Sequence, residues 1–266
     1  MKSWLILLLS GIILPLVGLS SCAIVFMPNY SGGGNWPAQI FFDHRYKLPS
    51  GGSLDLRIEE VEAEIEIVGQ KEEEVRIVAS QSLPFYRRGV VMGGLSRSFP
   101  RIEVGTQESA LEIRVEGRKQ TLFPLKISLT VPRNVNLERI NLKEGNITIR
   151  DLFGRARIEL ERGNLKIQNF SGSIEASVMK GNLEAEVLDL RENDDINLLV
   201  EEGDITLFLE PEASAQIEAQ ALRGRLIFEF PHEATADNYL VTKMKEGGAK
   251  IFLRSMKGDI KVRKIE

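Results

Sequence analysis

Few side chains in this sequence are equipped for catalysis or metal binding, and their types and spacing decide what each can do. Acids gather once, where Asp194-Asp195, Glu201-Glu202 and Asp204 fall close together. Such a group would suit calcium, a hard cation that takes oxygen ligands. With Lys180 or Arg191 beside them, Asp194 and Glu201 would also suit acid/base work on a polysaccharide. The Gly-Gly-x-Gly-x-Asp nonapeptide of calcium-binding β-rolls is absent, and nothing in the spacing fixes the separation of two carboxylates. These acids therefore read as solvated turn residues. The two histidines, His44 and His232, lie far apart with no cysteine beside them, which reads as ordinary surface or packing positions. A single cysteine excludes an intrachain disulfide and a multi-thiolate zinc site. There is no G-x-S-x-G elbow, phosphate loop or dinucleotide fingerprint. The expectation is a chain without catalytic residues, metal or cofactor. Its 34 basic against 38 acidic residues argue against a nucleic-acid partner.

That one cysteine has a place of its own. Lys2 precedes an apolar run from Leu5 to Val17, which closes in Leu19-Ser20-Ser21-Cys22. This reads as an export signal over residues 1–21. Small residues before a terminal cysteine resemble the bacterial lipobox, which implies a diacylglycerol on the Cys22 thiol, palmitate-type acylation and cleavage before it. Acyl chains anchor a soluble domain because each buried methylene adds about 0.8 kcal/mol. The apolar character continues through Ala23-Ile24-Val25-Phe26-Met27, so Trp4 to Met27 is also long enough to span a bilayer as an uncleaved signal anchor. Either reading puts the remainder outside the cytoplasm, bound to a membrane. Residues 22–37, with Gly32-Gly33-Gly34 at their centre, read as a flexible tether.

A third feature is the stretch Leu83 to Phe99, where Phe85, Tyr86, Arg87 and Arg88 stand beside glycines in an otherwise acidic chain. Tyr and Arg are residues that interfaces favour, so these four are the candidate binding residues. The plainer reading is a long connection whose Val90-Val91-Met92 packs on a sheet.

The elements that position these residues are strands. Ser53-Leu54-Asp55-Leu56-Arg57-Ile58, Ala63-Glu64-Ile65-Glu66-Ile67, Leu111-Glu112-Ile113-Arg114-Val115 and Leu125-Lys126-Ile127-Ser128-Leu129 all alternate apolar with polar. Alternation buries one face of a strand and wets the other. No apolar set keeps helical spacing beyond about two turns. The chain is all-β.

From residue 136 onward the strands repeat. Gly145, Gly154, Gly163, Gly172 and Gly181 are nine residues apart, and at twice that step like falls on like. Asn146, Asn164 and Asn182 form one column; Ile147, Leu165 and Leu183 the next; then Ile149, Ile167 and Ala185; then Leu152, Phe170 and Leu188. Ala156 with Ile174, Ile158 with Ala176, and Leu160 with Val178 do the same in the other half. Forward translation by 18 residues stacks like on like only if successive rungs run parallel, so the pattern predicts a β-solenoid of two strands and two glycine corners per rung. Gly203-Asp204, Gly224-Arg225 and Gly258-Asp259 continue it at wider steps, with the extra residues in surface loops over 189–197 and 231–248. Gly145, Asn146, Gly163, Asn164, Gly181, Asn182, Gly203, Asp204, Gly258 and Asp259 are predicted structural turn residues. The glycines would supply positive φ, and the Asn and Asp side chains a hydrogen-bonded ladder. A glycan-binding stripe is the functional alternative for that column. Residues 38–135 form an N-terminal β unit without visible columns, for which a meander is open, and 136–266 the solenoid.

The G-[DN]-[IL]-x-[ILAFV] units, the Phe41-to-Ile67 segment and the junction Thr130-Val131-Pro132 with Gly145-Asn146-Ile147 resemble the bacterial "putative adhesin" family, related to auto-transporter adhesin heads. The resemblance covers roughly residues 41 to 262. It implies a first β unit leading into a parallel β-helix, and it brings no catalytic residues. The pattern is broken where Glu62-Ala63-Glu64-Ile65 stands in place of Gly-Asp, and by 84–99. The function expected is a non-catalytic, membrane-anchored envelope module that binds another envelope protein or a glycan, or serves structurally. Its rivals are a carbohydrate-active enzyme on a β-helix and an anchored regulator. The N-terminal unit would cap one end of the stack, and the basic tail 261–266 would guard the other.

Overall fold

A computed structural model describes residues 38–82, 99–117, 124–231 and 237–265. Cys22, the signal and tether, Phe85 to Arg88, and His232 lie outside them. The described residues form one 16-stranded sheet, its strands numbered in chain order. Among the described residues no helix is long and apolar enough to cross a membrane.

The repeat registers as translation requires. β7 (Asn136–Arg162) and β8 (Leu165–Lys180) pair in parallel, with Ile147 opposite Leu165, Ile149 opposite Ile167, Leu152 opposite Phe170 and Ile158 opposite Ala176. One column slips: Phe170 faces Val187 of β9 (Leu183–Val187) rather than Leu188. Each rung has two strands, one on either side of a flattened core. Because β7 runs through its corners unbroken, both faces belong to a single sheet.

Alternation supplies that core. Ala156, Ile158 and Leu160 join Leu165, Ile167 and Phe170 in one buried cluster, all 2% exposed or less. Bulk is complementary along the columns: Ala176 lies between Ile158 and Leu198, and Ala185 between Ile167 and Leu207. Interdigitation of this kind is what brings a core to close packing.

The N-terminal half is also parallel, not a meander. β2 (Ser53–Gln70) stacks on β7 with Leu56 opposite Ile140 and Ile65 opposite Ile147. On its other side it meets β5 (Ala110–Glu116) and β6 (Leu125–Pro132), again in parallel. Antiparallel strands close this end. β4 (Arg101–Gln107) lies along β5. β3 (Glu74–Ser82) lies along β6, and β1 (Ala38–Lys47) along β3. Closure by short or reversed strands suppresses edge-to-edge association.

The C-terminal half departs from a sequential stack. Beyond β8 and β9 come β10 (Asp195–Glu202) and β11 (Ile205–Leu209). The next rung is not the next in sequence. It is β15 (Ala249–Lys257) with β16 (Ile260–Lys264), the end of the chain. The earlier β12 (Ala215–Ala221) and β13 (Leu226–Phe228) sit outside it. β14 (Tyr239–Met244) then lies antiparallel on β12 as the closing strand. Two expectations are corrected here. Residues 231–248 hold a capping strand rather than only a surface loop. The basic tail lies inside the stack, flanked by β11 and β13, because a rung needs partners on both edges and the chain doubles back to provide them.

Candidate functional site

The corner column is the most regular polar feature. Gly145, Gly163, Gly181, Gly203 and Gly258 have φ of 130°, 131°, 137°, 144° and 150°. A Cβ on Gly163 would overlap the carbonyl oxygen of Gly145, and one on Gly181 that of Gly163. Backbone stacks directly on backbone at this corner. Ala63 occupies the same column opposite Gly145 without a positive φ, so the β2 corner tolerates a side chain that later rungs exclude.

The residue after each glycine reaches to the next rung. Asn146 Oδ1 accepts from Asn164 N at 2.9 Å, Asn164 Oδ1 from Asn182 N at 3.0 Å, and Asn182 Oδ1 from Asp204 N at 3.0 Å. Asp204 Oδ1 accepts from Asp259 N, and Asp259 Oδ1 from Arg225 N, both at 2.9 Å. The ladder is therefore mainly side chain to backbone, with one amide-to-amide bond from Asn164 Nδ2 to Asn146 Oδ1 at 3.3 Å. It follows the spatial order, passing from Asp259 back to Arg225. Replacing Asn164 by Ala removes the acceptor for Asn182 N–H and is expected to cost about 1 kcal/mol. Asn164→Asp, which keeps an acceptor as Asp204 and Asp259 do, should cost less. Urea midpoints at constant slope check both.

The outer faces carry charges that pair from rung to rung. Arg162 meets Glu144 at 3.0 Å, Arg157 meets Glu175 at 2.8 Å and Lys166 meets Glu184 at 2.9 Å. Glu202 lies between Lys180 at 3.2 Å and Lys257 at 2.6 Å. The suspected acids are thus separated: Glu202 is held by two lysines, and Asp204 by Lys261 at 3.0 Å. Asp194 Oδ2 accepts from Arg191 N at 2.8 Å within its own turn. Among the described residues no three His, Cys, Asp or Glu side chains converge as a metal site would need. Asp194 and Arg191 line one cleft, but Glu201 and Lys180 do not join them. His44 lies exposed on β1, between Phe42 and Tyr46 at ring distances of 4.5 and 6.5 Å.

Several carboxyls are held below their usual range by these partners. The Arg76 guanidinium does this for Asp43, Lys257 and then Lys180 for Glu202, Lys245 for Glu212, and Arg225 for Asp259. A carboxyl depressed in the folded state stabilises the fold above its unfolded value and loses that contribution as pH falls through the folded one. The melting temperature should therefore decline progressively below about pH 4. Asp43 and Glu212 are exposed and Glu202 and Asp259 half-buried, so the decline should be modest and should shrink in high salt. Melting curves from pH 6 to pH 2.5 at two ionic strengths measure it.

What this geometry defines is a class: an all-β parallel solenoid, two-faced and capped by antiparallel strands, with structural polar ladders. The chain belongs to the Toastrack DUF4097 family, whose pattern matches residues 126–263. Among solved structures it resembles a putative cell adhesion protein from Clostridium sporogenes, with 12% identity, 86% of this chain and 100% of that one covered, and a TM-score of 0.54. A putative adhesin from Bacteroides fragilis aligns at 16% identity over 84% of this chain and 96% of that one, with a TM-score of 0.36. The first likeness shows a shared fold. No curated protein matches the chain.

Proposed function

We propose that this protein is a non-catalytic binding or structural module of the bacterial envelope, held at a membrane through a lipidated Cys22. The observation that supports this most is how the polar groups are used. Asn, Asp, Lys, Arg and Glu side chains along the stack bond to the next rung, and Glu201 does not line the cleft that Asp194 lines. Such a stack presents a long, rigid surface suited to protein or glycan contact. The similar Clostridium sporogenes structure, described as a putative cell adhesion protein, agrees with this reading. The test takes the full chain extracted from the membrane. Intact mass should show an acylated Cys22 at the N-terminus, and crosslinking on whole cells should capture an envelope protein or glycan. A chain starting at Met1 overturns the lipid anchor, and turnover of a polysaccharide overturns the non-catalytic reading.

A further inference from the structure

One cleft on the outer face breaks the pattern of paired charges. It lies where Gly181 to Gly203 takes 22 residues instead of 18. The longer connection between β9 and β10 is pinned by Arg191 N to Asp194 Oδ2 at 2.8 Å and by Asp194 N to Arg191 O at 3.0 Å. It borders a cleft of about 490 Å³ whose lining includes Asn136, Phe153, Arg155, Ser171, Ser173 and Arg191, together with the carboxylates of Glu138 and Asp194. That volume falls within the range of small-molecule clefts, about 300–1,000 Å³.

Its groups are available in a way their neighbours are not. Arg157 on the same strand as Arg155 and Arg162 at the end of that strand have carboxylate partners, whereas among the described residues the Arg155 and Arg191 guanidiniums pair with none. Phe153 is 38% exposed at a corner where its stacked neighbours are small or polar. Ser171 is 4% exposed, and its hydroxyl has no hydrogen-bond partner, an uncommon state for a buried polar group. Asn136 Oδ1 is occupied by Arg155 N–H at 3.0 Å, which leaves the Asn136 amide hydrogens free to donate.

From this set we infer that the cleft binds a carboxylate-bearing sugar unit of an envelope polysaccharide. Guanidiniums hold a carboxylate bidentately, the Phe153 ring offers a flat apolar surface to the C–H face of a pyranose, and the Asn136 amide and Ser hydroxyls suit ring hydroxyls. The guanidiniums select the carboxylate, the Glu138 and Asp194 carboxylates accept from ring hydroxyls, and the Phe153 ring selects a sugar over a free anion. The inference rests on the binding-module reading and gives that reading a ligand class.

Isothermal titration of the full chain in detergent micelles, with tetragalacturonate, an alginate tetramer and a hyaluronan tetrasaccharide, tests it against maltotetraose and inorganic phosphate. At least one acidic oligosaccharide should bind tenfold or more tightly than maltotetraose and phosphate. Arg155→Gln and Arg191→Gln should each weaken it about tenfold, because the Arg155 contact to Asn136 is made by its backbone and survives. Phe153→Ala should weaken it as well, while Phe153→Tyr, which keeps the ring, should bind normally; melting temperatures confirm that each variant is folded. No binding of any acidic oligosaccharide, equal binding of maltotetraose or phosphate, or affinity unchanged in both arginine variants overturns the inference. Capture of a glycan or protein that survives these substitutions would leave the module reading standing and remove this site.

Discussion

Gly163→Ala is expected to abolish cooperative folding, although it adds a single methyl group. Two independent costs meet at this position. The backbone φ of 131° lies where an L side chain is strained. The new Cβ would also overlap the carbonyl oxygen of Gly145 on the rung beneath. That oxygen belongs to backbone held on both sides by parallel pairing, so it cannot move without separating rungs. A loss above about 4 kcal/mol is the scale at which a domain of ordinary stability no longer folds. Two companion variants divide the effect. Gly51 has φ of 81°, and a Cβ there would meet nothing within 4 Å, so Gly51→Ala shows the conformational cost alone, about 1 kcal/mol. Gly105, in β4, would bring a Cβ no nearer than 3.8 Å to its closest neighbour, Glu112 Cβ, and Gly105→Ala should be neutral or slightly stabilising. Thermal and urea unfolding of the three proteins gives the ranking. A folded Gly163→Ala protein of near-native stability would show that the rungs are not in backbone contact at this corner.

The second large effect concerns the end of the chain. Deleting residues 249–266 removes a rung that lies inside the stack, between β10–β11 and β12–β13. Ile251, Leu253, Ile260 and Val262 are 2% exposed or less, and burial of each such side chain contributes about 1.5–3 kcal/mol. In a sequential solenoid, loss of the last rung removes one interface and leaves its neighbour as the new end. Here both interfaces of the deleted rung disappear. β12, β13 and β14 lose their attachment to the stack, because among the described residues β12 otherwise pairs only with β14 and β13 only with β16. Amide hydrogen exchange should therefore show full loss of protection over residues 215–244, together with weakened protection over 195–209. Residues 136–187 should stay protected, since their neighbours are intact. Protection retained over 215–228 would contradict the interposed order.

How much of this could be read beforehand differs by feature. The columns Ile147/Leu165 and Ile158/Ala176 were visible because an 18-residue step places one apolar side chain on another. The Gly-Asn corner was visible for the same reason, since backbone contact at successive rungs from Gly145 onward demands glycine at each of them. The N-terminal rung was not, because Ala63 replaces glycine where φ is ordinary and its partner on β6 arrives 62 residues later, at Leu125. The cleft was hidden as well. Asn136, Phe153, Ser171 and Arg191 are neighbours only because stacking superposes residues 17 to 20 apart, and no local motif marks them.

The amino-acid sequence by itself determined which segments are rungs. Alternation decides the buried face, glycine the corner, and a short polar side chain the link to the next corner. Each is a local property with a physical signature that repeats. The tertiary structure alone decided who neighbours whom at the ends of the stack. A parallel rung presents the same backbone edge and much the same apolar column to any other rung, so β11 accepts β16 as readily as the pattern would let it accept β13. The choice falls to connection length and to the cap: β14 reverses on the outer edge of β12, and the last strands fill the place between β10–β11 and β12–β13.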